Sequence, residues 1–113
     1  MIEETRVLLG QYIEELRRIY GNHLKQIILY GSYARGDYQD DSDIDLMVLV
    51  DLPEGEMDCY SDELSEMGFE YNISYGIWIM PVVKNIEHFQ NWCGVYSFYN
   101  NAMKEGISLY EAP

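Results

Sequence analysis

The sequence contains little positive charge. Seven Lys and Arg residues stand against 20 Asp and Glu, which gives a formal net charge of −13 over 113 residues. A surface this acidic repels the phosphate backbones of DNA and RNA, so direct nucleic-acid binding is not expected. The same charge attracts divalent cations and favours a basic protein as the partner.

Long hydrophobic runs and patterned cysteines are also absent. Residues 1–20 are charged throughout and contain neither a signal peptide nor a membrane span. We therefore expect a cytoplasmic protein without membrane contact. The two cysteines, Cys59 and Cys93, follow no zinc-ligand spacing, and we expect them to be reduced packing residues.

Hydrophobic periodicity indicates one folded domain spanning residues 1–113. Apolar residues make up 48% of the chain, and no repeat, low-complexity tract or linker divides it. Three- and four-residue spacing predicts helices at residues 2–20, 57–71, 86–92 and 96–104, the third capped by Asn85. Short apolar runs predict strands at residues 26–30, 45–50, 76–83 and 107–110. Pro81 places the third strand at a sheet edge or a strand end. These patterns predict a small α/β domain.

Two carboxylates open the second predicted strand. Asp43 and Asp45 are two residues apart, so their side chains project to the same face of the strand. Carboxylates held side by side repel each other unless a cation lies between them, and Mg²⁺ is bound by such groups together with phosphate oxygens. The turn Gly31-Ser32 after the first strand offers backbone N–H groups to those phosphates.

Other interpretations of this stretch are open or fail. The acidic loop before Asp43 is also compatible with a solvated loop, and Ser32 with the N-cap of a short helix over residues 33–35. A calcium loop fails because Leu46 and Leu52 stand where Gly and Glu are required. A P-loop fails because Gly36 is not followed by Lys and Ser or Thr.

The segments GSYARGD and DSDIDLMV, at residues 31–37 and 41–48, carry a family resemblance. Gly31-Ser32, ten intervening residues and then Asp43-Ile44-Asp45 resemble the signature of polymerase-β-like nucleotidyltransferases. The fuller string is similar to the minimal nucleotidyltransferase (MNT) family, the small partners of HEPN-domain proteins. The resemblance implies an α/β fold with a small mixed β-sheet and helices packed mainly on one face.

The resemblance also implies an activity and its residues. Family members transfer a nucleoside monophosphate from a triphosphate, here expected to be ATP, to an acceptor hydroxyl. Asp43 and Asp45 match the catalytic metal-binding pair, which is expected to hold two Mg²⁺ ions with the bound nucleotide. The Gly31 N–H and the Ser32 hydroxyl match contacts to the β- and γ-phosphates.

Arg35 is the only base between Lys25 and Lys84. It is expected either to bind the nucleotide by neutralising triphosphate charge or to pair with Asp37 on the surface. The sequence does not decide between these two roles.

One departure from the family pattern concerns a third carboxylate. Fully active relatives carry this acid on a neighbouring strand, whereas residues 71–83 contain no Asp or Glu. Trp78 and Met80 share a strand face there, and neither binds Mg²⁺. An acid from the loop at residues 37–41 could move in, and some MNT proteins also lack the third acid.

The sequence is compatible with three functions. The chain either adenylylates a hydroxyl of a HEPN-domain ribonuclease toxin, as its antitoxin, or neutralises that partner by contact alone. The third is an aminoglycoside-type transfer to a small molecule, for which 113 residues leave no second substrate-binding domain unless a homodimer supplies one. Aromatic residues near the C-terminus, such as Tyr96 and Phe98, are expected in core packing or in a partner interface.

Overall fold

The computed structural model describes residues 1–113 as a four-stranded mixed sheet flanked by helices. The strands are β1 Leu24–Tyr30, β2 Ile44–Val50, β3 Ile79–Asn85 and β4 Ile107–Glu111. The helices are α1 Glu3–Tyr20, α2 Ser32–Arg35, α3 Glu54–Met57, α4 Ser61–Tyr75, α5 Ile86–Trp92 and α6 Ser97–Glu105. The sheet order is β3-β2-β1-β4, in which β2 and β3 are parallel and the other pairs antiparallel. No helix combines the length and the apolar composition that crossing a bilayer requires.

Strand β2 is buried on both faces of the sheet. Its residues Ile44, Leu46 and Val48 join a core of 15 buried residues with α1 and α4, the two long helices. Met47 and Leu49 point the other way, into a core of six buried residues with α5 and α6. The predicted α/β fold with helices mainly on one face is confirmed, and the two shorter helices cover part of the second face.

The predicted helix over residues 57–71 is wrong in its bounds. The segment consists of α3, a 3₁₀ turn at Asp58–Tyr60 and then α4, which continues to Tyr75. The apolar residues that define the predicted helix remain inward, because Met57 and Tyr60 still pack against the larger core. Gly76, with φ +71°, ends α4 in the left-handed conformation, so β3 begins later than predicted.

Strand β3 lies at the edge of the sheet, as Pro81 predicts. It pairs with β2 alone, and the Ile44 N–H donates to the Trp78 carbonyl oxygen at 2.8 Å. Backbone groups of successive residues point in opposite directions along a strand, so Pro81 directs its nitrogen away from β2. The missing N–H of Pro81 therefore costs no hydrogen bond within the sheet.

The side chain of Asn85 joins β3 to α5, and its predicted role as a helix cap is confirmed. Its Oδ1 accepts a hydrogen bond from the His88 N–H at 3.0 Å. Its Nδ2 donates to the Leu52 carbonyl oxygen at 2.9 Å, on the segment after β2. The Asn85 amide therefore accepts a hydrogen bond from the first turn of α5 and donates one to the loop after β2.

Replacing Asn85 by Ala should destabilise the fold by about 1–2 kcal/mol, because the helix loses its cap and Leu52 loses a donor. Asn91→Ala, an exposed change within the same helix, is the matched control and should leave stability within about 0.5 kcal/mol of the parent. Urea unfolding measures both values. Equal stabilities for the two variants would contradict the capping role.

Candidate active site

The pairing of β1 with β2 brings Gly31 against the Asp45 carboxylate. Tyr30, the last residue of β1, is the register partner of Asp45, and Gly31 follows directly. Gly31 has φ +76° and ψ −154°, a conformation essentially restricted to glycine. A Cβ on Gly31 would lie 2.5 Å from Asp45 Oδ2. Only glycine therefore allows the turn to approach this carboxylate so closely.

The structure places Asp43 just before β2 and Asp45 within it. Asp43 is exposed and Asp45 is half-buried. Burial raises the pKa of Asp45, the charge of Asp43 raises this pKa further, and Arg35 lowers it in part. The two carboxylates are thus close enough to repel each other. Their oxygen donors fit a hard divalent cation, which would relieve the repulsion. No group of three or more Asp, Glu, His or Cys side chains is arranged to hold a metal ion.

Ser32 is the first residue of α2, which packs against β1 and β2. The alternative that Ser32 caps a helix over residues 33–35 is wrong. Gly31 holds the N-cap position, and its carbonyl oxygen accepts from the N–H groups of Ala34 and Arg35, both at 3.1 Å. The Ser32 hydroxyl makes no capping hydrogen bond, so it is not committed to holding the helix. Its predicted contact with a phosphate stays a prediction.

Arg35 is held by two carboxylates on the surface. Its Nε donates to Asp37 Oδ2 and its Nη1 to Glu105 Oε2, each at 3.2 Å. The pairing with Asp37 matches one of its two predicted roles, and Glu105 on α6 is a partner that the sequence does not indicate. Arg35 also lowers the pKa of Asp45, which places its charge near the pair. A role in nucleotide binding stays a prediction.

Met80 occupies the strand position next to Asp45. The two residues are register partners in the parallel pairing of β2 with β3. The neighbouring strand therefore offers a thioether beside Asp45 and no third carboxylate, and Met80 is 45% exposed. Asp37, one of the loop acids considered for that role, is paired with Arg35.

Tyr30 is a neighbour of the site that the sequence does not identify. Burial and the adjacent Asp45 raise the pKa of Tyr30 to about 12. The ring of Phe98, on α6, packs edge-on against it with centroids 5.5 Å apart. Strand register is the only signal that would have found Tyr30, and register requires knowing which strands pair.

Comparison with known proteins identifies the class. The sequence model of the nucleotidyltransferase domain family matches residues 9–107. A protein of Methanocaldococcus jannaschii that bears the provisional name of protein adenylyltransferase is 35% identical over 103 residues, which span 88% of this chain and 92% of that protein. The chain belongs to the nucleotidyltransferase domain family and is a nucleotidyltransferase, which confirms the predicted family.

Two further proteins resemble the chain. The protein adenylyltransferase MntA of Thermococcus cleftensis is 38% identical over 47 residues, which span 42% of this chain and 46% of that protein. A chain in the crystal structure of a mutant MntA–HpeT toxin–antitoxin complex has the same fold, with a TM-score of 0.52 and 18% identity. The match covers 90% of this chain and 73% of that one.

Substitution of the two turn glycines should cost different amounts of stability. Gly36→Ala places a side chain at φ +85° with nothing within 4 Å, so its cost is backbone strain of about 1–2 kcal/mol. Gly31→Ala combines a backbone conformation essentially restricted to glycine with a collision with Asp45 Oδ2, so it should cost clearly more. Urea unfolding of both variants measures the difference. A smaller loss for Gly31→Ala would contradict the close approach.

The raised pKa of Asp45 predicts a pH-dependent effect of Asp45→Asn. Because the folded state binds the proton more tightly than the unfolded chain, stability falls as pH rises from the ordinary value of 3.8 through the raised pKa. Asn carries no such penalty. The variant should therefore be more stable than the parent at neutral pH, and this advantage should disappear below the ordinary aspartate pKa. Unfolding curves across the acid range test this, and an advantage that persists at low pH would contradict it.

Proposed function

We propose that the chain transfers AMP from ATP to a hydroxyl of a partner protein, and that it acts as the antitoxin of a HEPN-domain ribonuclease toxin. The observation that carries the proposal is the pair Asp43 and Asp45 beside the Gly31-Ser32 turn. The names of the relatives, protein adenylyltransferases, support AMP transfer to protein. The fold shared with a chain of a toxin–antitoxin complex is compatible with this role.

In this proposal the residues of the site position the reactants. The Gly31 backbone and the Ser32 hydroxyl hold the β- and γ-phosphates, while the acceptor oxygen approaches the α-phosphorus opposite the departing pyrophosphate. Asp43 and Asp45 would hold Mg²⁺, two ions with the nucleotide bound, which supplies charge stabilisation at the attacking and leaving oxygens. The close approach of Gly31 fixes the distance between the phosphate-binding turn and the Asp45 carboxylate.

The charge of the chain supports a basic partner. A ribonuclease presents a positive surface to its RNA, and an acidic protein of net charge −13 complements that surface. An added AMP would place a phosphate where RNA phosphates bind, so inhibition would outlast the complex.

The proposal is tested with labelled ATP, Mg²⁺ and a HEPN-domain protein as the partner. Intact-mass analysis should detect one AMP on the partner. Asp43→Asn and Asp45→Asn should each lower the rate at least about a hundredfold, because one carboxylate cannot hold two divalent ions. Asp58→Asn, an exposed change in the 3₁₀ turn before α4, is the control and should retain the rate. Equal rates in all three variants would refute the assigned site.

Neutralisation by contact alone is the second candidate. Met80 favours it, because the third carboxylate that would strengthen metal binding is missing beside Asp45. Separating the two proteins after incubation distinguishes the candidates. If the partner stays inhibited after it is separated from the parent chain but not after it is separated from Asp43→Asn, AMP transfer is supported. If inhibition by the parent chain ends on separation, neutralisation by contact is supported.

A further inference from the structure

A groove runs along the free edge of β3, between this strand and α4. Its volume is about 480 Å³. Gly68 of α4 faces the Ile79 carbonyl, and a Cβ on Gly68 would lie 3.9 Å from that oxygen, so the helix lies close to the strand. Phe69 and Trp78 meet edge to face over the groove with centroids 6.4 Å apart. Both rings are largely open to solvent, at 61% and 43% exposure.

The groove reaches the strand position beside Asp45. Met80 lines the groove and is also the register partner of Asp45. The carbonyl oxygen of Trp78 accepts from Ile44, the residue between the two aspartates. Asp45 lies on the face of β2 opposite to α4, so a chain that lies in the groove and crosses the free edge of β3 at Met80 would reach the Asp43–Asp45 pair.

The residues that line the groove are uncharged, so the charge of the helix beside it selects its occupant. Helix α4 carries four carboxylates and neither Lys nor Arg, and these acids are Asp62, Glu63, Glu66 and Glu70. A second copy of the chain would bring one such helix against another, and like charges oppose that pairing. The same carboxylates repel a nucleoside triphosphate. A polypeptide with basic residues is attracted, and a large apolar side chain can pack against the exposed rings.

We propose that this groove binds the acceptor protein through a basic segment, with a bulky apolar side chain packed against Phe69 and Trp78. The modified hydroxyl, close to that side chain in the segment, then lies at the Asp43–Asp45 pair. The proposal rests on the proposed function, because it assumes that the acceptor is a protein. It assigns Phe69 and Trp78 to acceptor recognition and leaves the phosphates to the Gly31-Ser32 turn.

The two tryptophans of the chain provide a matched pair of probes. Trp78 lies in the groove and Trp92 on α5, and their exposures are 43% and 42%. Protein labelled with 5-fluorotryptophan gives two ¹⁹F signals, which a Trp92→Phe variant assigns. Addition of the unlabelled HEPN-domain protein should shift or broaden the Trp78 signal and leave the Trp92 signal unchanged.

Substitution of exposed apolar residues measures the energetic contribution of the groove. Phe69→Ala should weaken binding of the partner and raise its KM about tenfold, a loss typical of a truncated interface aromatic, without changing the KM for ATP. Val95→Ala, in the turn between α5 and α6, is the control because Val95 is similarly exposed at 65%. It should change neither value. Raised salt should weaken the parent complex, as expected for a basic segment bound beside the acidic helix α4.

Several results would overturn the groove assignment. The first is a partner-induced shift at Trp92 alone, or no binding of the partner at all. The second is an unchanged partner affinity in Phe69→Ala. The third is a Trp78 signal that moves when only ATP is added or only the concentration of the chain is raised. AMP transfer is measured in the same samples. A Trp78 shift without AMP transfer would support partner binding in the groove and refute the proposed function. AMP transfer without that shift would support the proposed function and refute binding in the groove.

Discussion

The close packing of Gly31 against the Asp45 carboxylate is the contact on which the site depends. It exists because β1 ends opposite the point where β2 begins, with Tyr30 and Asp45 as register partners. The half-buried carboxylate also bears the repulsion of Asp43, which opposes folding rather than assisting it. A fold that retains this arrangement needs stabilisation elsewhere, and the two cores on either side of β2 provide it.

The sequence predicts the elements of this fold well, because apolar periodicity and capping are local. The strand that carries Asp45, the edge position of Pro81 and the cap at Asn85 all follow from neighbouring residues. The predicted helix over residues 57–71 is wrong in its bounds, because the spacing of apolar side chains does not reveal where the backbone switches to a 3₁₀ turn. Serine is common at N-caps, which makes Ser32 a candidate cap, yet α2 already begins at Ser32 and leaves the cap position to Gly31.

The surroundings of the site were much less predictable. Glu105 lies 70 residues from Arg35 in the sequence, and no local pattern joins the two. The placement of Met80 beside Asp45 likewise depends on the register of β2 with β3. A shift by one residue would have turned Met80 to the other face and Pro81 towards the site. Long-range register therefore decides what surrounds a motif that short-range spacing identifies.

Met80 connects the two proposals. An acid at its position would add a ligand for Mg²⁺, but it would also add a third negative charge beside a carboxylate that already resists ionisation. A methionine there removes that repulsion and extends the apolar groove to the edge of the site. Two aspartates supply few ligands for two divalent ions, so the triphosphate oxygens must supply several of the others. Metal and nucleotide would then bind together, and the groove would present the acceptor to a site that is complete only with ATP in place.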